Sequence, residues 1–445
     1  MNFYTKRRCK LNHYHTEPKK TKIGVIGLGY VGLPLALLFV QKGYQVTGID
    51  INKDKIDHLQ KFASYIPDIK NTDIKAALSS GQLTLATNYT SIESLNIIVI
   101  CVPTPLTINQ NPELRYIKEV SKALYPRLQK GQLVILESST YPGTTRDVIQ
   151  PILAKSQLQI GKEVHLAYSP ERIDPGNQSL KVEEIPKIVS GLTTACLSYA
   201  TDFYRRIFNK IIPSTSVEVA ELSKLLENSY RFINISFINE MAMLCDKLNI
   251  NLWEAISAAS SKPYGFQPFY PGPGIGGHCI PIDPLYLYWV GQKHGFHNQF
   301  LSLAEKTNND IASYITAQVT TLVEKNQTIT NAKILLCGIT YKKDSNDVRS
   351  SPPVRIMQHL LQLGADVMYH DPHVPVIEIN QNVFHSLSLS SKNVKEMDIV
   401  VILTDHSDLQ VEKIINHSKL VYDTKNLTKG LKGNAQIIVL GGGDS

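Results

Sequence analysis

The sequence has few cysteines, and none of them is spaced for pairing. The six residues show no CxxC pair and no metal-ligand spacing: Cys9, Cys101, Cys196, Cys245, Cys279 and Cys337. This pattern argues against a disulfide-built secreted protein and against a zinc site. It favours free thiols in a reducing cytoplasm, and we expect no metal.

Long apolar runs are also lacking. No run approaches the length of a membrane span, and the early basic residues are not followed by the apolar segment of a signal peptide. The net charge of +7 is modest, and much of it lies in the first twenty residues. Residues 1–21 could touch nucleic acid or an anionic membrane, but a solvated, disordered extension is the favoured interpretation. We expect a cytoplasmic protein with no nucleic-acid partner and no membrane span.

The sequence is rich in short apolar strands that alternate with helices. At 445 residues the chain is long enough for two or three domains. From Lys22 it runs through a strand, a glycine turn, a helix and a strand: KIGVIG, LGYVGLPLALLFVQKG and YQVTGID. Further strand candidates are NIIVICV, QLVILESS, VHLAYSP and KIVSG. This alternation predicts a parallel sheet covered on both faces, over residues 22–212.

The apolar spacing changes to a helical period from about Thr215. Thr215 can cap a helix in which Glu218 follows three residues later. The apolar residues at helical spacing are Val219, Leu222, Leu225, Leu226, Ile233, Phe237, Met241 and Leu244. They predict a helix of roughly thirty residues that joins domains and buries one face against a partner.

A second α/β series closes the chain. A helical stretch from Phe300 to about Glu324 precedes five strand candidates: NAKILLCGI, ADVMYHD, DIVVILTD, KLVYDTKN and AQIIVLGG. No G-x-G-x-x-G turn follows the first of them, so we expect a related fold with a different ligand. The predicted fold class is α/β, with two Rossmann-like doubly wound domains, 22–212 and 327–441, joined by a long central helix and a helical middle domain, 213–326.

The GLGYVG segment carries a dinucleotide-binding signal. Gly27, Gly29 and Gly32 lie between a predicted strand and a predicted helix, and Asp50 ends the next strand. The glycines let the backbone approach a pyrophosphate at the helix N-terminus. Asp50 would accept hydrogen bonds from ribose hydroxyls and repel a 2′-phosphate, which favours NAD over NADP. A glycine turn without a ligand is the alternative.

Polar groups elsewhere suggest a reacting centre, although each has a plain structural alternative. Lys224, Asn228 and Arg231 share one side of the long helix, which is either a solvated face or a source of donors to an oxyanion. Thr140 in SST and Glu171 in SPER follow predicted strands, where ligands of open α/β sheets bind. Either could hold or activate a water, or simply belong to a loop.

The segment PGPGIGGHCIPIDP places Cys279 and Asp283 in a loop of glycine and proline. A thiol attacks a carbonyl as thiolate, so its pKa would need lowering by a cation such as Lys224 or by helix-end amides. Beside an NAD domain, a nucleophilic cysteine implies oxidation of an aldehyde through a thiohemiacetal to a thioester. Taken alone, a buried structural thiol is the commoner explanation of Cys279.

The ordered motifs resemble those of the nucleotide-sugar 6-dehydrogenases. These are GLGYVGLPLA, VPTP, SSTYPGTT, SPER, ELSKLLENSYR, GIGGHCIPIDP and YKKDSNDVRSSP, and the resemblance covers about residues 22 to 441. It implies a four-electron oxidation of the C6 alcohol of a UDP-sugar to a carboxylate by two NAD. It also implies a homodimer or higher homo-oligomer, formed through the long central helices.

The resemblance assigns a role to each matching position. Cys279 looks like the nucleophile, Lys224 like the oxyanion-stabilising group and Asn228 like its partner. Asp283, Glu171 and Thr140 would handle the water. The implied cofactor-binding residues are Gly27, Gly29, Tyr30, Val31, Gly32, Asp50, Lys55, Thr104 and Thr140. The implied substrate-binding residues are Glu171, Arg172, Lys224, Asn228, Arg231, Gly276, Gly277, Tyr341, Lys342 and Arg349.

The identity of the sugar rests on fewer residues. UDP-glucose enzymes often carry a lysine just before the aspartate, where this chain has Ile282, and an arginine before the loop, where it reads SKPYGFQPFYPGPG. The sequence is similar instead to bacterial UDP-N-acetylglucosamine 6-dehydrogenases that supply uronic acids for O-antigen and capsule. UDP-N-acetylgalactosamine, UDP-N-acetylmannosamine and UDP-glucose stay open, as do a two-electron hydroxyacid-type dehydrogenase and a catalytically silent sensor of UDP-sugar or NAD.

Overall fold

The computed structural model describes residues 16–66, 69–172, 180–277 and 280–443. Its strands are β1 (Lys22–Ile26), β2 (Gln45–Ile49), β3 (Leu83–Ala86), β4 (Ile97–Ile100), β5 (Leu133–Leu136), β6 (His165–Tyr168), β7 (Lys187–Gly191), β8 (Ile211–Pro213), β9 (Lys333–Cys337), β10 (Asp366–His370), β11 (Val376–Ile379), β12 (Asn382–His385), β13 (Ile399–Ile402), β14 (Leu420–Asp423) and β15 (Gln436–Val439). Its α-helices are α1 (Gly32–Gln41), α2 (Lys53–Gln60), α3 (Asn71–Ser79), α4 (Arg115–Leu124), α5 (Gln150–Leu153), α6 (Thr194–Tyr204), α7 (Val217–Leu248), α8 (Leu252–Ser260), α9 (Asp283–Lys293), α10 (Gln299–Glu324), α11 (Pro352–Gln362), α12 (Ser391–Lys395) and α13 (Val411–His417). Two compact units, Met1–Leu226 and Glu227–Ser445, divide the chain within α7.

The first unit is built on a Rossmann-like sheet. Within the described residues its strand order is β3-β2-β1-β4-β5-β6-β7-β8. Strands β1 to β6 are mutually parallel, and the order reverses between β1 and β4. A reversal of this kind opens a crevice at the carboxyl ends of the strands, where α/β sheets bind ligands. The predicted N-terminal Rossmann-like fold is confirmed.

Alternate residues of the central strands enter two different hydrophobic cores. In β4, Ile97 and Val99 belong to one core, whereas Ile98 and Ile100 belong to the other. Successive side chains of a strand point to opposite faces, so a strand buried on both faces is apolar throughout. This explains why the strand candidates read as continuous apolar runs.

One pairing departs from the parallel arrangement that the sequence predicted. Strand β7 runs antiparallel to β6, with Tyr168 opposite Ser190, and β8 is parallel to β7. The first residue of β7 therefore lies at the sheet edge where β4, β5 and β6 end. An alternation of strands and helices does not by itself reveal the direction of each strand.

The long helix α7 has 32 residues, close to the predicted length, but its cap differs from the prediction. The Val219 N–H donates to Ser216 Oγ at 3.3 Å, so Ser216 caps the helix and the prediction of Thr215 was wrong. Glu218 pairs with Arg146 at 2.5 Å. Ser216 directly precedes the helix, and its hydroxyl therefore reaches the third N–H.

The second unit combines α7, α8, α9 and α10 with a smaller sheet. That sheet has the order β10-β9-β13-β14-β15 among the described strands, and every pairing is parallel. Alternate residues of β9 and β13 again enter separate cores, one of which includes residues of α7, α8 and α10. The five predicted strands and the helical middle are confirmed. The antiparallel hairpin of β11 and β12 was not predicted.

Part of the predicted basic extension is ordered. Thr16 accepts a hydrogen bond from Tyr44 through its carbonyl oxygen and another from Arg206 through its hydroxyl, and Pro18–Lys20 form a 3₁₀ turn. Residues 1–15 lie outside the described residues. Nowhere in the described ranges is there a helix both long and apolar enough to cross a bilayer.

Candidate active site

The glycine turn after β1 is shaped by close backbone packing. A Cβ on Gly27, whose φ is +90°, would lie 2.6 Å from the Cys101 carbonyl oxygen, and a Cβ on Gly32 would lie 1.8 Å from the Gly27 oxygen. A Cβ on Gly29 would meet nothing within 4 Å. Two of the glycines are therefore required by the fold, and the third borders open space at the start of α1. This arrangement fits a pyrophosphate at the helix N-terminus.

Asp50 is held by three donors at the carboxyl end of β2. Its Oδ2 accepts from the Leu28 N–H at 2.9 Å and from Lys55 Nζ at 3.0 Å, and its Oδ1 accepts from the Asn52 N–H at 3.0 Å. The carboxylate is nearly buried and fixed in orientation. Oδ1, which accepts only one of these bonds, keeps a second lone pair that can accept from a ribose hydroxyl, so Asp50 and Lys55 fit the predicted adenosine end of NAD.

The other predicted cofactor residues follow neighbouring strands of the same sheet. Tyr30 and Val31 lie partly buried in the turn after β1, Thr104 lies past β4, and Thr140 lies past β5. Thr140 is fully buried, and its hydroxyl donates to Thr144 Oγ1 at 2.6 Å. The sheet therefore gathers these residues at the carboxyl ends of its central strands.

A buried ion cluster lies at the same edge, and it includes one predicted residue, Glu171. Lys187 Nζ lies 3.2 Å from Glu171 Oε2 and 2.6 Å from Glu137 Oε2. The Tyr204 hydroxyl donates to the other oxygen of Glu137. All four side chains are buried. Arg172, predicted to bind substrate, donates from Nη1 to the Pro186 carbonyl oxygen at 2.9 Å.

The charges in this cluster do not balance, and the pKa values reflect that. Burial raises the pKa of Glu137 to about 7 despite the attraction of Lys187. Burial lowers the pKa of Lys187, but the two carboxylates more than offset this and raise it to about 12. One ammonium neutralises one carboxylate, so the second acid is held towards its protonated form. Burial likewise raises the pKa of the adjacent Cys101 thiol, which stays protonated.

The polar residues predicted on α7 differ in exposure. Lys224 and Asn228 are buried, at 8% and 5% exposure, whereas Arg231 is exposed. A solvated face does not account for the first two. Within the described parts of the chain, the Lys224 ammonium has no hydrogen bond or ion pair.

In the second unit, Asn228 and Asp283 form a buried pair. Asn228 Nδ2 donates to Asp283 Oδ2 at 2.6 Å, and Asp283 is 2% exposed as the first residue of α9. Burying a carboxylate requires such a donor. Cys279, four residues before Asp283, lies outside the described residues. Its predicted role as nucleophile therefore stays a prediction.

The glycines before Cys279 are required by contact with the segment that follows β9. A Cβ on Gly276 would lie 2.5 Å from Tyr341 Cβ, and a Cβ on Gly277 would lie 2.6 Å from Tyr341 Cζ. The Gly277 N–H donates to the Arg349 carbonyl oxygen at 3.0 Å, and the Asn308 side chain bonds both backbone groups of Ile275. The loop is therefore held in place, and Gly276 and Gly277 are needed because no side chain fits between it and Tyr341.

The predicted UDP-binding residues lie on that same segment. Tyr341 and Lys342 are partly buried, and Arg349 is exposed. The Arg349 guanidinium is bonded by Nε and Nη2 to the Asp347 carboxylate at 2.6 to 3.1 Å. Asp347 thereby orients a group whose planar fork suits a diphosphate.

One cluster in the second unit has the residue types of a metal site. The ligand atoms of Asp344, His373 and His406 lie within 4.8 Å of one another. His406 Nδ1 already accepts from the Asp344 N–H at 3.1 Å, and its Nε2 faces Asp371 Oδ2 at 3.1 Å. Both ring nitrogens are engaged in joining the loops after β9, β10 and β13, so the cluster fits a structural role better than a ligand set.

Sequence reasoning missed Glu137, Lys187 and Tyr204. Glu137 directly precedes the SST motif, and Lys187 begins the otherwise apolar run KIVSG. A lysine at the start of a buried strand was the available signal. It could not identify its partners, because they come from β5, from the segment after β6 and from α6.

Together, the glycine turn, the carboxylate after β2 and the polar residues at one edge of the sheet define an NAD-dependent oxidoreductase. Comparison with known families makes this specific. The NAD binding domain profile of the UDP-glucose/GDP-mannose dehydrogenase family matches residues 21–211, its central domain profile 218–310 and its UDP binding domain profile 335–430. The chain belongs to this family, and it is an enzyme that uses NAD.

The similar proteins include two curated relatives and a solved structure. A UDP-N-acetyl-D-mannosamine dehydrogenase of Methanococcus maripaludis is 34% identical over 421 residues, which are 91% of this chain and 93% of that protein. A UDP-N-acetyl-D-glucosamine 6-dehydrogenase of Pseudomonas aeruginosa is 31% identical over 421 residues, which are 92% of this chain and 97% of that protein. A UDP-D-ManNAc dehydrogenase structure from Pyrococcus horikoshii has a TM-score of 0.86 and 29% identity, over 96% of this chain and 100% of that one.

Proposed function

We propose that this enzyme oxidises the C6 alcohol of a UDP-N-acetylhexosamine to the carboxylate, and that UDP-N-acetyl-D-glucosamine is the substrate. Bound NAD supplies the hydride acceptor for each of the two oxidations. The product would be a uronic acid for surface polysaccharide. The observation that carries the proposal is the buried Asn228–Asp283 pair, because Asp283 follows Cys279 by four residues.

The covalent stage uses groups of this chain. Cys279 thiolate adds to the aldehyde carbon, forming a carbon–sulfur bond, and the resulting oxyanion is stabilised by the Lys224 ammonium and the Asn228 amide. After hydride loss gives the thioester, Asp283 and Glu171 position the water that breaks that bond. The burial of Lys224 without a described partner supports its role, since a buried cation is stabilised by an anion that forms beside it.

UDP-N-acetyl-D-mannosamine is the second candidate substrate. The Methanococcus maripaludis protein, at 34% identity, and the Pyrococcus horikoshii structure, with a TM-score of 0.86, are both dehydrogenases of this sugar nucleotide. The loop sequence SKPYGFQPFYPGPG favours UDP-N-acetyl-D-glucosamine, because it resembles the corresponding loop of the bacterial UDP-N-acetylglucosamine 6-dehydrogenases. The two sugars differ in configuration at C2, which a few hydrogen bonds discriminate.

The test is the number of NADH formed per sugar, with UDP-GlcNAc, UDP-ManNAc, UDP-GalNAc and UDP-glucose each limiting in turn. We expect two NADH per sugar, with the highest kcat/KM for UDP-GlcNAc. Two NADH with UDP-ManNAc as the best substrate would transfer the proposal to the second candidate. One NADH per sugar would contradict the four-electron chemistry, and binding without NADH formation would indicate a silent sensor.

The nucleophile has its own test. Cys279→Ser should lose net acid formation, because the serine hydroxyl has no comparable anionic form near neutral pH. Cys245→Ser is the matched control, since Cys245 is a free cysteine, partly exposed on α7. Full turnover in Cys279→Ser would contradict the covalent route.

A further inference from the structure

The buried cluster of Glu137, Lys187 and Glu171 has a function that the fold alone does not require. We propose that Lys187 is a positioning residue: its ammonium keeps Glu171 ionised and correctly aimed, so that Glu171 can accept a proton during turnover. This inference rests on the proposed function, in which Glu171 handles the hydrolytic water. The inference gives Lys187, the first residue of β7, the task of keeping that base ionised and aimed at the water.

The antiparallel direction of β7 brings the two residues together. Tyr168 of β6 faces Ser190 of β7, and continuing this register by three residues places position 171 opposite position 187. A parallel β7 would have put its first residue at the other edge of the sheet. The distance of 3.2 Å between Lys187 Nζ and Glu171 Oε2 agrees with this pairing.

Because both side chains are buried, the protonation state of Glu171 depends on its counter-ion Lys187. Lys187 is 3% exposed and Glu171 is 8% exposed. A carboxylate buried without a counter-ion takes up a proton, and a protonated acid cannot act as a base. Lys187 therefore stabilises the form of Glu171 that the reaction needs. The ammonium also contacts the faces of the Tyr204 and Phe208 rings, at 5.5 and 5.3 Å, which fix its position.

Glu137 competes for the same ammonium. Its Oε2 lies 2.6 Å from Lys187 Nζ, closer than Glu171 does. Other groups facing the cluster are the Tyr204 hydroxyl on α6 and the Cys101 thiol after β4, both neutral, while the Arg172 guanidinium bonds the Pro186 carbonyl. The Arg172 N–H donates to Glu171 Oε1 at 2.6 Å, and Lys187 is the cation that both carboxylates contact.

The proton has a defined path in this arrangement. The attacking water loses one proton to a Glu171 oxygen while its own oxygen bonds to the thioester carbon. The carbon–sulfur bond then breaks and Cys279 leaves as thiolate. The acid product gives its remaining proton to solvent. No further oxidant or reductant is needed in this step.

Two substitutions should shift the acidic limb of the kcat–pH profile in opposite directions. Lys187→Met removes the positive charge, so the pKa of Glu171 rises, and the limb should move up by about one pH unit or more. Glu137→Gln removes a competing negative charge, so the limb should move down. Lys187→Arg should restore the wild-type limb. A purely structural role would lower kcat without opposite shifts.

The controls separate folding from function. Lys130→Met removes another lysine from an ion pair of the same unit, at a largely exposed site with Glu163, and its profile should match wild type. NAD affinity and thermal unfolding identify variants that do not fold. If Lys187→Met fails to fold, Glu137→Gln, which keeps the size and shape of the side chain, still tests the inference through its expected downward shift.

The outcomes distinguish this inference from the proposed function. An unchanged acidic limb in Glu137→Gln, or in a folded Lys187→Met variant, while wild type forms two NADH per sugar, would overturn the role of Lys187 alone. Wild type that forms no NADH with any UDP-sugar would overturn the proposed function instead. A limb that moves in opposite directions in the two variants supports the inference.

Discussion

At the scale of single residues, the arrangement of charge is the most informative feature of the chain. Lys224 is a buried cation without a described ionic partner, whereas Lys187 has two carboxylates within 3.2 Å. The first suits an anion that forms during reaction, and the second suits an anion that is always there. The same residue type therefore serves two different purposes within one unit.

This contrast leads to a prediction for Lys224. Lys224→Met should lower kcat by about 10²- to 10³-fold, the usual effect of removing one oxyanion donor, while NAD affinity stays near wild type. Steady-state kinetics and NAD titration measure the two quantities. Lys247→Met, in the last turn of the same helix and exposed, is the control. A loss below threefold would exclude the oxyanion role.

Glu221 supports a second residue-scale prediction, this one on stability. Its carboxylate accepts from the Gly143 N–H, the Thr145 N–H and the Thr145 hydroxyl, at 2.6 to 2.8 Å. Burial raises its pKa to about 7. The folded protein thus binds this proton more tightly than the unfolded chain does, and stability falls as pH rises from about 4.5 to about 7.

Two variants check this. Glu221→Ala leaves three buried donors unpaired and should lower the free energy of unfolding by on the order of 3 kcal/mol. Glu221→Gln keeps one acceptor oxygen, so its free energy of unfolding should fall by less, and its side chain cannot ionise. Its stability relative to wild type should therefore improve as pH rises through that range. Denaturant unfolding at several pH values measures both, and a constant difference between Gln and wild type would refute the pKa argument.

At the scale of elements, the loop before Cys279 is defined by what packs against it. Gly272, Gly276 and Gly277 belong to one glycine-rich segment, yet only the last two face the fixed Tyr341 ring and backbone. Gly272 faces the flexible end of Lys425. Glycine content alone does not reveal this difference.

Substitution at two of these glycines should therefore have unequal effects. Gly276→Ala places a Cβ 2.5 Å from Tyr341 Cβ and 2.8 Å from the Ser350 oxygen, so the loop must shift, and a displacement of about 1 Å near the reacting centre can lower kcat about 100-fold. Gly272→Ala meets its nearest atom, Lys425 Nζ, at 3.4 Å and should be tolerated. Steady-state kinetics of the two variants measure this difference in kcat. Equal activity would show that catalysis does not depend on a fixed position of the loop.

At the scale of the whole molecule, α7 carries an apolar stripe that the single chain leaves exposed. Val219, Leu222, Leu226, Phe237 and Leu244 are 40 to 61% exposed and recur at helical spacing. An exposed apolar stripe of this length is unusual for a monomer. A second copy of the chain is the proposed occupant, as the resemblance carried by the sequence motifs implies.

The prediction is a dimer that charge on this stripe disrupts. Wild type should show about twice the chain mass of 49.7 kDa in sedimentation or light scattering. Leu226→Glu should shift the equilibrium towards monomer, since a dimer would have to bury the added charge. Val383→Glu, at a similarly exposed site on β12, should leave the mass unchanged. A monomeric wild type would refute the dimer.

Patterns in the sequence were enough to predict most of the strands, the long helices and the glycine turn. These depend on short-range rules: the alternation of strands and helices, the period of apolar residues, and the glycine spacing of a strand–turn–helix unit. The ordered motifs also led to the family through resemblance.

Only the tertiary structure decided which charges meet. The antiparallel direction of β7 places Lys187 between Glu137 and Glu171, and Asn228 bonds Asp283 across 55 positions of the chain. Contacts between residues distant in sequence depend on how strands pair and helices pack. Local patterns do not encode that pairing, and a buried ion cluster is therefore recognised only once the chain is folded.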